Sequence, residues 1–427
     1  MKYGLIGEHL PHSFSKVIHE AIGGYEYQLK ELAPAELDAF LKAKDFTGIN
    51  VTIPYKQAVI PYLNSISETA KAIGAVNTIV NVDGKLWGHN TDFGGMKALM
   101  EKEGIDPDGK KVLIFGTGGT SKTASAAAKA MGASQVLRAS RSGKEGALTY
   151  EQAYELCGDV EIIINTTPCG MFPKAGEVPA DLSRFPRLSG LVDAIYNPLN
   201  TELVLQAKKR GIPASGGLYM LVAQAVLASE AFLDPSPETL HRIGTAGAKI
   251  STAVLELTDR IYGKLLAEKQ NIVLIGMPGS GKTTVGKLLA EHTGRPLLDS
   301  DEEIVKRHGS ITAIFARYGE QTFRDFESEV IAELSARNGI ILSTGGGAIL
   351  RPENVDALSR NGVLYYLDRP LEQLLPTEDR PLASSREAIE ARYRERSHLY
   401  RAAAHQIIPN GSSAEDAAAE IERRHTK

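Results

Sequence analysis

Residues 271–288 read NIVLIGMPGSGKTTVGKL, an apolar run followed by a glycine-rich loop and a second apolar run. The loop fits the pattern G-x-x-x-x-G-K-[ST] through Gly276, Gly281, Lys282 and Thr283. A strand that leads through such a loop into a helix directs backbone N–H groups at a polyphosphate. The stretch therefore predicts a strand–loop–helix unit that binds a nucleoside triphosphate.

The side chains of this loop suit phosphates and a metal ion. Lys282 would contact the β- and γ-phosphates, and Thr283 would hold Mg²⁺. Gly279 and Gly281 allow backbone conformations that a Cβ would obstruct. The predicted nucleotide contacts are Gly279, Ser280, Gly281, Lys282, Thr283 and Thr284.

Composition limits the classes of protein to which the chain can belong. A length of 427 residues predicts more than one domain, and a net charge of −4 without a basic block argues against nucleic acid as a partner. Cys157 and Cys169 offer neither a disulfide framework nor zinc spacing. Neither a signal peptide nor an apolar run of the roughly 18 residues that cross a bilayer is evident, so we expect a cytoplasmic protein without a membrane partner.

Strand and helix signals alternate through the first 217 residues, which predicts two α/β domains. Residues 1–103 are expected to form a substrate domain with a mixed sheet, completed by a helix at 218–232. Residues 104–217 are expected to form a dinucleotide-binding Rossmann domain, because a strand, the loop GTGG at 116–119, a helix and a strand follow one another. A helical connector at 233–269 and a P-loop domain at 270–427 with a parallel sheet complete the predicted α/β fold.

The loop at 116–119 is a weak signal by itself, since a plain turn between strand and helix has the same pattern. Ser140, Arg141 and Lys144 follow the next predicted strand, where an NAD site would want an acidic residue. A hydroxyl and two cations suit a 2′-phosphate, so NADP is favoured over NAD. The alternative for Arg141 is a solvated surface cation.

Two polar pairs are candidates for proton transfer. Lys56 comes just after a predicted strand, and Asp92 follows a predicted hairpin; reduction of a ketone would need such a proton donor. A solvated lysine and a helix N-cap are the alternatives. Asp299 and Asp301 lie two residues apart in LLDSDEEI, so that one could serve Mg²⁺ and the other accept a hydroxyl proton. The alternative is a helix N-cap followed by an acidic first turn.

Seven short strings, taken in order, resemble shikimate dehydrogenase over roughly residues 1–235. They are HSFS (12–15), NVTIPYK (50–56), GAVNT (74–78), GHNTD (88–92), NTTPCGM (165–171), YNPLNT (196–201) and GLYMLVAQ (217–224). The resemblance implies that Lys56 is the catalytic acid and base, with Asp92 beside it. It implies substrate contacts through Ser13, Ser15, Thr52, Asn77, Asp92, Tyr196 and Gln224. It implies NADP contacts through Glu68, Gly116, Thr117, Gly118, Gly119, Thr120, Ser140, Arg141, Lys144, Ala194 and Gly217.

From the P-loop to about residue 400 the chain resembles shikimate kinase, through the loop itself, LLDSDEEI, FRDFE (323–327), ILSTGGG (341–347), RPL (380–382) and Arg396. The resemblance implies that Thr283 and Asp299 serve Mg²⁺ and that Asp301 is the base at the accepting hydroxyl. Shikimate would be bound by Asp301, Arg324, Gly346 and Arg396. Arg380 would reach ATP from a lid, although the lid is shorter and more acidic here than the family pattern.

Together the resemblances imply a bifunctional enzyme of the shikimate pathway, which leads to chorismate and the aromatic amino acids. Its substrates would be 3-dehydroshikimate and shikimate, and its cofactors NADP, ATP and Mg²⁺. Two alternatives remain open. The first part could be a quinate/shikimate dehydrogenase, or the second could be a kinase-like nucleotide-binding module with weak or no activity.

Overall fold

The computed structural model describes residues 1–10, 14–144, 146–374 and 385–426. Contacts between backbone positions divide the chain into two units. The first unit comprises Met1–Tyr196 and Gln206–Tyr262, and the second comprises Asn197–Leu205 and Gly263–Lys427. This division places residues 206–262 in the first unit and residues 263–269 in the second. The predicted division into four segments, with a helical connector at 233–269, stays a prediction.

The first sheet of the first unit is mixed, as predicted. Within the described residues its strands are ordered β2-β1-β3-β5-β6-β4. Strands β3, β5 and β6 pair antiparallel, while the β1–β2, β1–β3 and β4–β6 pairs are parallel. The bounds are β1 Tyr3–Gly7, α1 Ser15–Ile22, β2 Gln28–Glu31, α2 Leu37–Ala43, β3 Gly48–Val51, β4 Ser65–Ile66, α3 Glu68–Ile73, β5 Thr78–Val82, β6 Lys85–His89 and α4 Thr91–Lys102.

The second sheet of this unit is wholly parallel in the order β11-β10-β9-β7-β8. Its central strands are buried, as expected where helices cover both faces of a parallel sheet. The bounds are β7 Lys111–Phe115, α5 Gly119–Ala130, β8 Gln135–Ala139, α6 Tyr150–Leu156, β9 Ile162–Asn165, β10 Gly190–Asp193, α7 Glu202–Lys209, β11 Ala214–Ser215, α8 Leu218–Leu233, α9 Pro237–Gly244 and α10 Thr252–Lys269.

Helix α8 is apolar on all sides and packs closely on the first sheet and on α4. A Cβ on Gly95 of α4 would lie 2.6 Å from the carbonyl oxygen of Met220 on α8, so only glycine permits this approach. A Cβ on Gly48 of β3 would likewise overlap the ring of Phe232 on α8. Helix α8 therefore packs tightly against both α4 and β3; that it completes a substrate domain stays a prediction.

The second unit contains the third sheet, parallel in the order β13-β14-β12-β15-β16, with an apolar core on each face. The long helix α13 is interrupted at Gly319, where φ is 82°. The bounds are β12 Asn271–Ile275, α11 Lys282–Thr293, β13 Leu297–Asp299, α12 Ser300–His308, α13 Ile311–Ser335, β14 Ile341–Ser343, α14 Pro352–Asn361, β15 Gly362–Asp368, α15 Arg386–Ala403, β16 Gln406–Pro409 and α16 Ala414–His425.

The predicted fold class is confirmed, and several elements differ at their ends. The strand expected at 25–32 covers only Gln28–Glu31. Helix α4 begins at Thr91 and not at Phe93, and the side chain of Asn90, not Asp92, accepts the capping hydrogen bond from the backbone N–H of Phe93. Asp92 therefore does not cap α4, which was the alternative explanation for this residue. None of the helices in the described ranges combines the length and apolar character that a bilayer crossing requires.

Candidate active sites

A cavity of about 320 Å³ opens at the carboxyl ends of β1 and β3. Chain reversals at these strand ends bring polar side chains together, as is usual in α/β folds. All the predicted catalytic and substrate residues that are described for the first part line this cavity, and Ser13 lies outside the described residues. They are Ser15, Thr52, Lys56, Asn77, Asp92, Tyr196 and Gln224.

Lys56 and Asp92 form an ion pair inside this cavity. Lys56 Nζ donates to Asp92 Oδ2 at 2.6 Å, and their side chains are 27% and 17% exposed. Asp92 lies in the first turn of α4, and the backbone carbonyl of Lys56 accepts a hydrogen bond from Val76 N–H. The pair therefore places a protonated amine at a wall of the cavity with its carboxylate neighbour in contact.

Hydrogen bonds fix the side chains of Asn77 and Gln224, which line the same cavity as the pair. Asn77 Oδ1 accepts from the backbone N–H of Thr91 at 2.8 Å, and Asn77 Nδ2 donates to Thr91 Oγ1 at 3.1 Å. Gln224 Nε2 donates to the carbonyl of Leu221 at 2.9 Å. These contacts hold the side chains of Asn77, just before β5, and of Gln224, on α8, in place, so that they can bind a ligand without further ordering.

The structure adds residues to this site that sequence reasoning missed. His9, Leu10 and Asn50 also line the cavity, and Asn50 Oδ1 accepts from Tyr27 Oη at 2.7 Å. His9 lies two residues after the end of β1 at Gly7. Applying the strand-end argument to every strand, and not only to β3, would have found it. Burial raises the pKa of Tyr196, so this phenol stays protonated as a hydrogen-bond donor.

The predicted dinucleotide contacts, apart from Glu68, follow the carboxyl ends of strands in the second sheet. Gly116 follows β7 and its N–H donates to Ala139 of β8 at 2.8 Å, which brings its loop next to Ser140. Gly116 has φ 117°, and a Cβ there would lie 2.5 Å from Thr166 Oγ1. Gly118 and Gly119 face open space at the start of α5. This loop fits a bound pyrophosphate, because backbone N–H groups are exposed where no side chain intervenes.

Other members of the predicted dinucleotide set are also brought together. The backbone of Ala194, after β10, lies so close to Gly217 that a Cβ on Gly217 would overlap it. Arg141 and Lys144 are exposed beyond β8. Glu68 instead begins α3 and lines a separate cavity with Lys122 and Lys129 of α5. Its predicted part in dinucleotide binding stays a prediction.

In the second unit the glycine-rich loop has the expected form. Gly276, Gly279 and Gly281 have φ of 153°, 77° and 88°, conformations that side chains other than glycine rarely adopt. Lys282 Nζ donates to the carbonyls of Gly276 and Met277 at 2.8 and 3.0 Å. The loop therefore curls around its lysine and presents backbone N–H groups at the start of α11.

Asp299 and Thr283 are close enough to share a metal ion. Thr283 Oγ1 lies 3.5 Å from Asp299 Oδ2, while Asp299 Oδ1 accepts the backbone N–H of Asp301 at 2.9 Å. Asp299 is thus also the helix cap that was its alternative explanation. One oxygen orders α12 and the other faces the loop, so a hydroxyl and a carboxylate oxygen fit Mg²⁺ beside the phosphate loop.

The triple glycine after β14 lies against residues that are predicted to bind shikimate. A Cβ on Gly345 would overlap Asp301 Oδ1 and come within 2.8 Å of Glu327 Oε1, and one on Gly347 would overlap the Arg324 guanidinium. Arg396 Nη1 donates to the carbonyl of Gly346 at 3.4 Å. The absence of side chains here lets a carboxylate base and two arginines lie around one space.

Glu327 is a buried ion-pair partner of Arg324, and the sequence did not indicate that it is buried. Arg324 Nη1 donates to Glu327 Oε2 at 2.7 Å, with the two residues 8% and 1% exposed. Burial raises the pKa of Glu327, Arg324 opposes that rise, and the nearby Asp301 carboxylate adds to it. The pair holds the guanidinium in position for a ligand carboxylate.

Replacing Glu327 by Ala is expected to lower the free energy of unfolding of the second unit by about 3–5 kcal/mol, because Arg324 would keep the exposed Glu320 as its one acidic partner in the part of the chain that the structure describes. Urea unfolding followed by circular dichroism and by loss of kinase activity measures this. Glu329→Ala, an exposed change on the same helix, is the matched control. Equal stability of the two variants would contradict the assigned role.

Two further residues contact the phosphate loop and were not predicted. Asn410 Nδ2 donates to the carbonyl of Ser280 at 2.6 Å, and Arg369 Nη1 donates to that of Gly279 at 3.4 Å. Each directly follows a strand end, β16 and β15, which is the signal that could have found them. Thr284 follows Thr283 in the first turn of α11. Arg380 and the predicted lid lie outside the described residues.

Fold and sites together define an enzyme with two catalytic parts, a dinucleotide-dependent oxidoreductase followed by a P-loop phosphotransferase. The family model for the shikimate dehydrogenase substrate-binding domain matches residues 5–79, and the model for shikimate kinase matches residues 278–425. The NADP⁺ shikimate dehydrogenase of Clostridium beijerinckii is 37% identical over 245 residues, covering 53% of this chain and 90% of the relative. That of Geobacillus kaustophilus is 38% identical, covering 55% and 94%.

A solved structure agrees with these relatives. Shikimate dehydrogenase 1 from Peptoclostridium difficile is 34% identical with a TM-score of 0.52, and the match covers 62% of this chain and 98% of that one. The chain belongs to the shikimate dehydrogenase family and carries a shikimate kinase domain at residues 278–425.

Proposed function

We propose that this chain catalyses two consecutive steps of the shikimate pathway. The first part would reduce 3-dehydroshikimate to shikimate with NADPH, and the second would phosphorylate shikimate to shikimate 3-phosphate with ATP and Mg²⁺. The observation that carries the proposal is the Lys56–Asp92 contact of 2.6 Å in a cavity lined by the other described substrate residues. The family relationships of both parts support it.

In the first step the residues of the chain bind the substrate and supply a proton. NADPH, when bound, supplies a hydride to the ketone carbon. Lys56 gives a proton to the ketone oxygen as negative charge develops there, which completes the hydroxyl group. Asp92 keeps the amine in place and stabilises its protonated form before transfer. Ser15, Thr52, Asn77, Tyr196 and Gln224 would bind the carboxylate and hydroxyls of the ring, so that the ketone faces Lys56.

The choice of NADP rests on the residues after β8. Arg141 and Lys144 are exposed there, and Ser140 Oγ accepts the N–H of Gly143 at 3.1 Å, which shapes the loop. Two cations beside a hydroxyl suit a 2′-phosphate, whereas the acidic residue that would bind an unmodified ribose does not occupy this strand end. The relatives from Clostridium beijerinckii and Geobacillus kaustophilus are both NADP⁺ shikimate dehydrogenases.

In the second step the chain would position the accepting hydroxyl of shikimate and offset the negative charge of the phosphate groups. ATP with Mg²⁺, when bound, supplies the phosphoryl group. Lys282 would leave its loop carbonyls to contact phosphate oxygens, and Thr283 and Asp299 would hold the metal. Asp301 would accept the proton of the attacking hydroxyl. Arg324 and Arg396 would bind the ring carboxylate, since guanidinium groups grip carboxylates through paired hydrogen bonds.

Incubating the full chain with 3-dehydroshikimate, NADPH, ATP and Mg²⁺ tests the proposal. We expect shikimate 3-phosphate, with equal consumption of NADPH and ATP, and accumulation of shikimate when ATP is omitted. NADH in place of NADPH should reduce 3-dehydroshikimate more slowly. In the reverse direction, quinate in place of shikimate should reduce NADP⁺ more slowly. If shikimate accumulated while ATP was present and not consumed, the second part would be a nucleotide-binding module without kinase activity. Absence of NADPH oxidation would overturn the first assignment.

A further inference from the structure

A second cavity of the first unit lies away from the proposed chemistry. It has a volume of about 460 Å³ and lies between β4, β6, the start of α3 and α9. It shares no lining residue with the cavity of Lys56 and Asp92. Its size falls within the roughly 300–1,000 Å³ that is usual for small-molecule sites. The proposed function does not use it.

The walls of this cavity are largely apolar and include a large aromatic ring. The half-buried Trp87 of β6 lies with Val82 against the apolar core that Leu240 of α9 helps to form. Ile66 and the prolines at 235 and 237 complete the apolar lining. Such walls favour a flat hydrocarbon ring, which can stack on or meet the edge of the indole.

One buried polar side chain on this cavity has unused hydrogen-bonding groups. His89 is 3% exposed, and among the described residues neither Nδ1 nor Nε2 has a hydrogen-bond partner. Gly244 of α9 lies against the ring, since a Cβ there would be 3.4 Å from Nδ1. Buried imidazoles of this kind are normally paired, and leaving both nitrogens unpaired costs free energy.

The protonation state of His89 narrows the chemistry of a ligand. Burial lowers the pKa of His89 to about 4, so near neutral pH one ring nitrogen donates and the other accepts. A hydroxyl group can partner either nitrogen, because it is both donor and acceptor. The described lining contains the carboxylate of Glu68 and a second imidazole, His241, but neither lysine nor arginine, so the only permanent charge in this described lining is negative and disfavours an anionic ligand.

We propose that this cavity is a binding site for a small uncharged aromatic alcohol or phenol, with its ring against Trp87 and its hydroxyl hydrogen-bonded to His89. The apolar walls bind the ring, and the orphaned imidazole selects ligands that carry a hydroxyl. The site shares no lining residue with the cavity of Lys56 and Asp92, so its ligand would bind together with substrate; Glu68, which lines it, is also a predicted NADP contact.

Trp87 is the single tryptophan of the chain, so its fluorescence reports on this cavity alone. We would titrate the full-length protein with p-cresol, and with toluene as the matched ligand without a hydroxyl. A saturable change in Trp87 emission is expected with p-cresol. In His89→Phe the affinity for p-cresol should fall about tenfold, while that for toluene should not fall.

Three controls keep the test decisive. His89→Gln retains a donor and an acceptor and should bind p-cresol within about threefold of the wild type. Calorimetry on Trp87→Phe should still detect binding after the optical signal is lost. Saturating shikimate should leave the p-cresol affinity unchanged. Absence of saturable binding, equal p-cresol affinity in folded His89→Phe, or competition by shikimate would each overturn the proposal.

Discussion

Replacing Lys56 by Met is expected to lower kcat for shikimate-dependent NADP⁺ reduction by about 10²–10⁴. Methionine keeps most of the length and apolar volume of the side chain but cannot donate or accept the proton. The ion pair with Asp92 at 2.6 Å would also be lost, and with it the charge that faces the substrate. Steady-state rates with shikimate and NADP⁺ varied separately measure the effect on kcat and on each KM.

The kinase rate of the same preparation shows whether this variant is folded, since that activity depends on other residues. Lys71→Met, which changes an exposed lysine on α3, is the matched substitution and should leave both rates unaltered. If Lys56→Met kept a dehydrogenase kcat within about threefold of the wild type, proton transfer by Lys56 would be excluded.

Replacing Asp301 by Asn should lower kcat for ATP-dependent phosphorylation of shikimate by about 10²–10⁴ while dehydrogenase activity is unchanged. Asparagine preserves the shape of the side chain beside Gly345 but cannot take the hydroxyl proton. Because Asp299 and Thr283 are untouched, nucleotide affinity should change little. A coupled assay for ADP, with ATP affinity from equilibrium titration, separates the chemical step from binding.

Glu302→Gln is the control for this prediction, since Glu302 is the exposed neighbour of Asp301 in the same first turn of α12. It removes the same charge without reaching the space beside Gly345. A kinase rate that fell equally in both variants would point to loss of helix stability or of local negative charge. The role of Asp301 as base would then have to be abandoned.

The elements that sequence patterns predicted best are those with strong local signals. The loop at 276–283 has glycines at positive φ where the pattern requires them, and Lys111–Phe115, Gln135–Ala139 and Lys85–His89 are strands with the expected ends. Apolar runs bounded by glycines or turns are short-range features, so neighbouring residues suffice to predict them. Placement of Lys56 after β3 followed from the same local reasoning.

Residues whose roles depend on distant contacts were harder to find. The sequence places Glu327 three residues after Arg324, on the same helix face, but only the fold shows that it is buried beside Gly345. Asn410 reaches Ser280 from the far end of the sequence.

By itself, the sequence determined the α/β class, the phosphate loop, and the polar side chains that follow individual strands, because each depends on a few consecutive residues. Only the tertiary structure decided that Lys56 touches Asp92, that one space collects Asp301, Arg324 and Arg396, and that His89 lies unpaired beside Trp87. Those arrangements depend on strand order and helix packing, which bring together residues that are far apart along the chain.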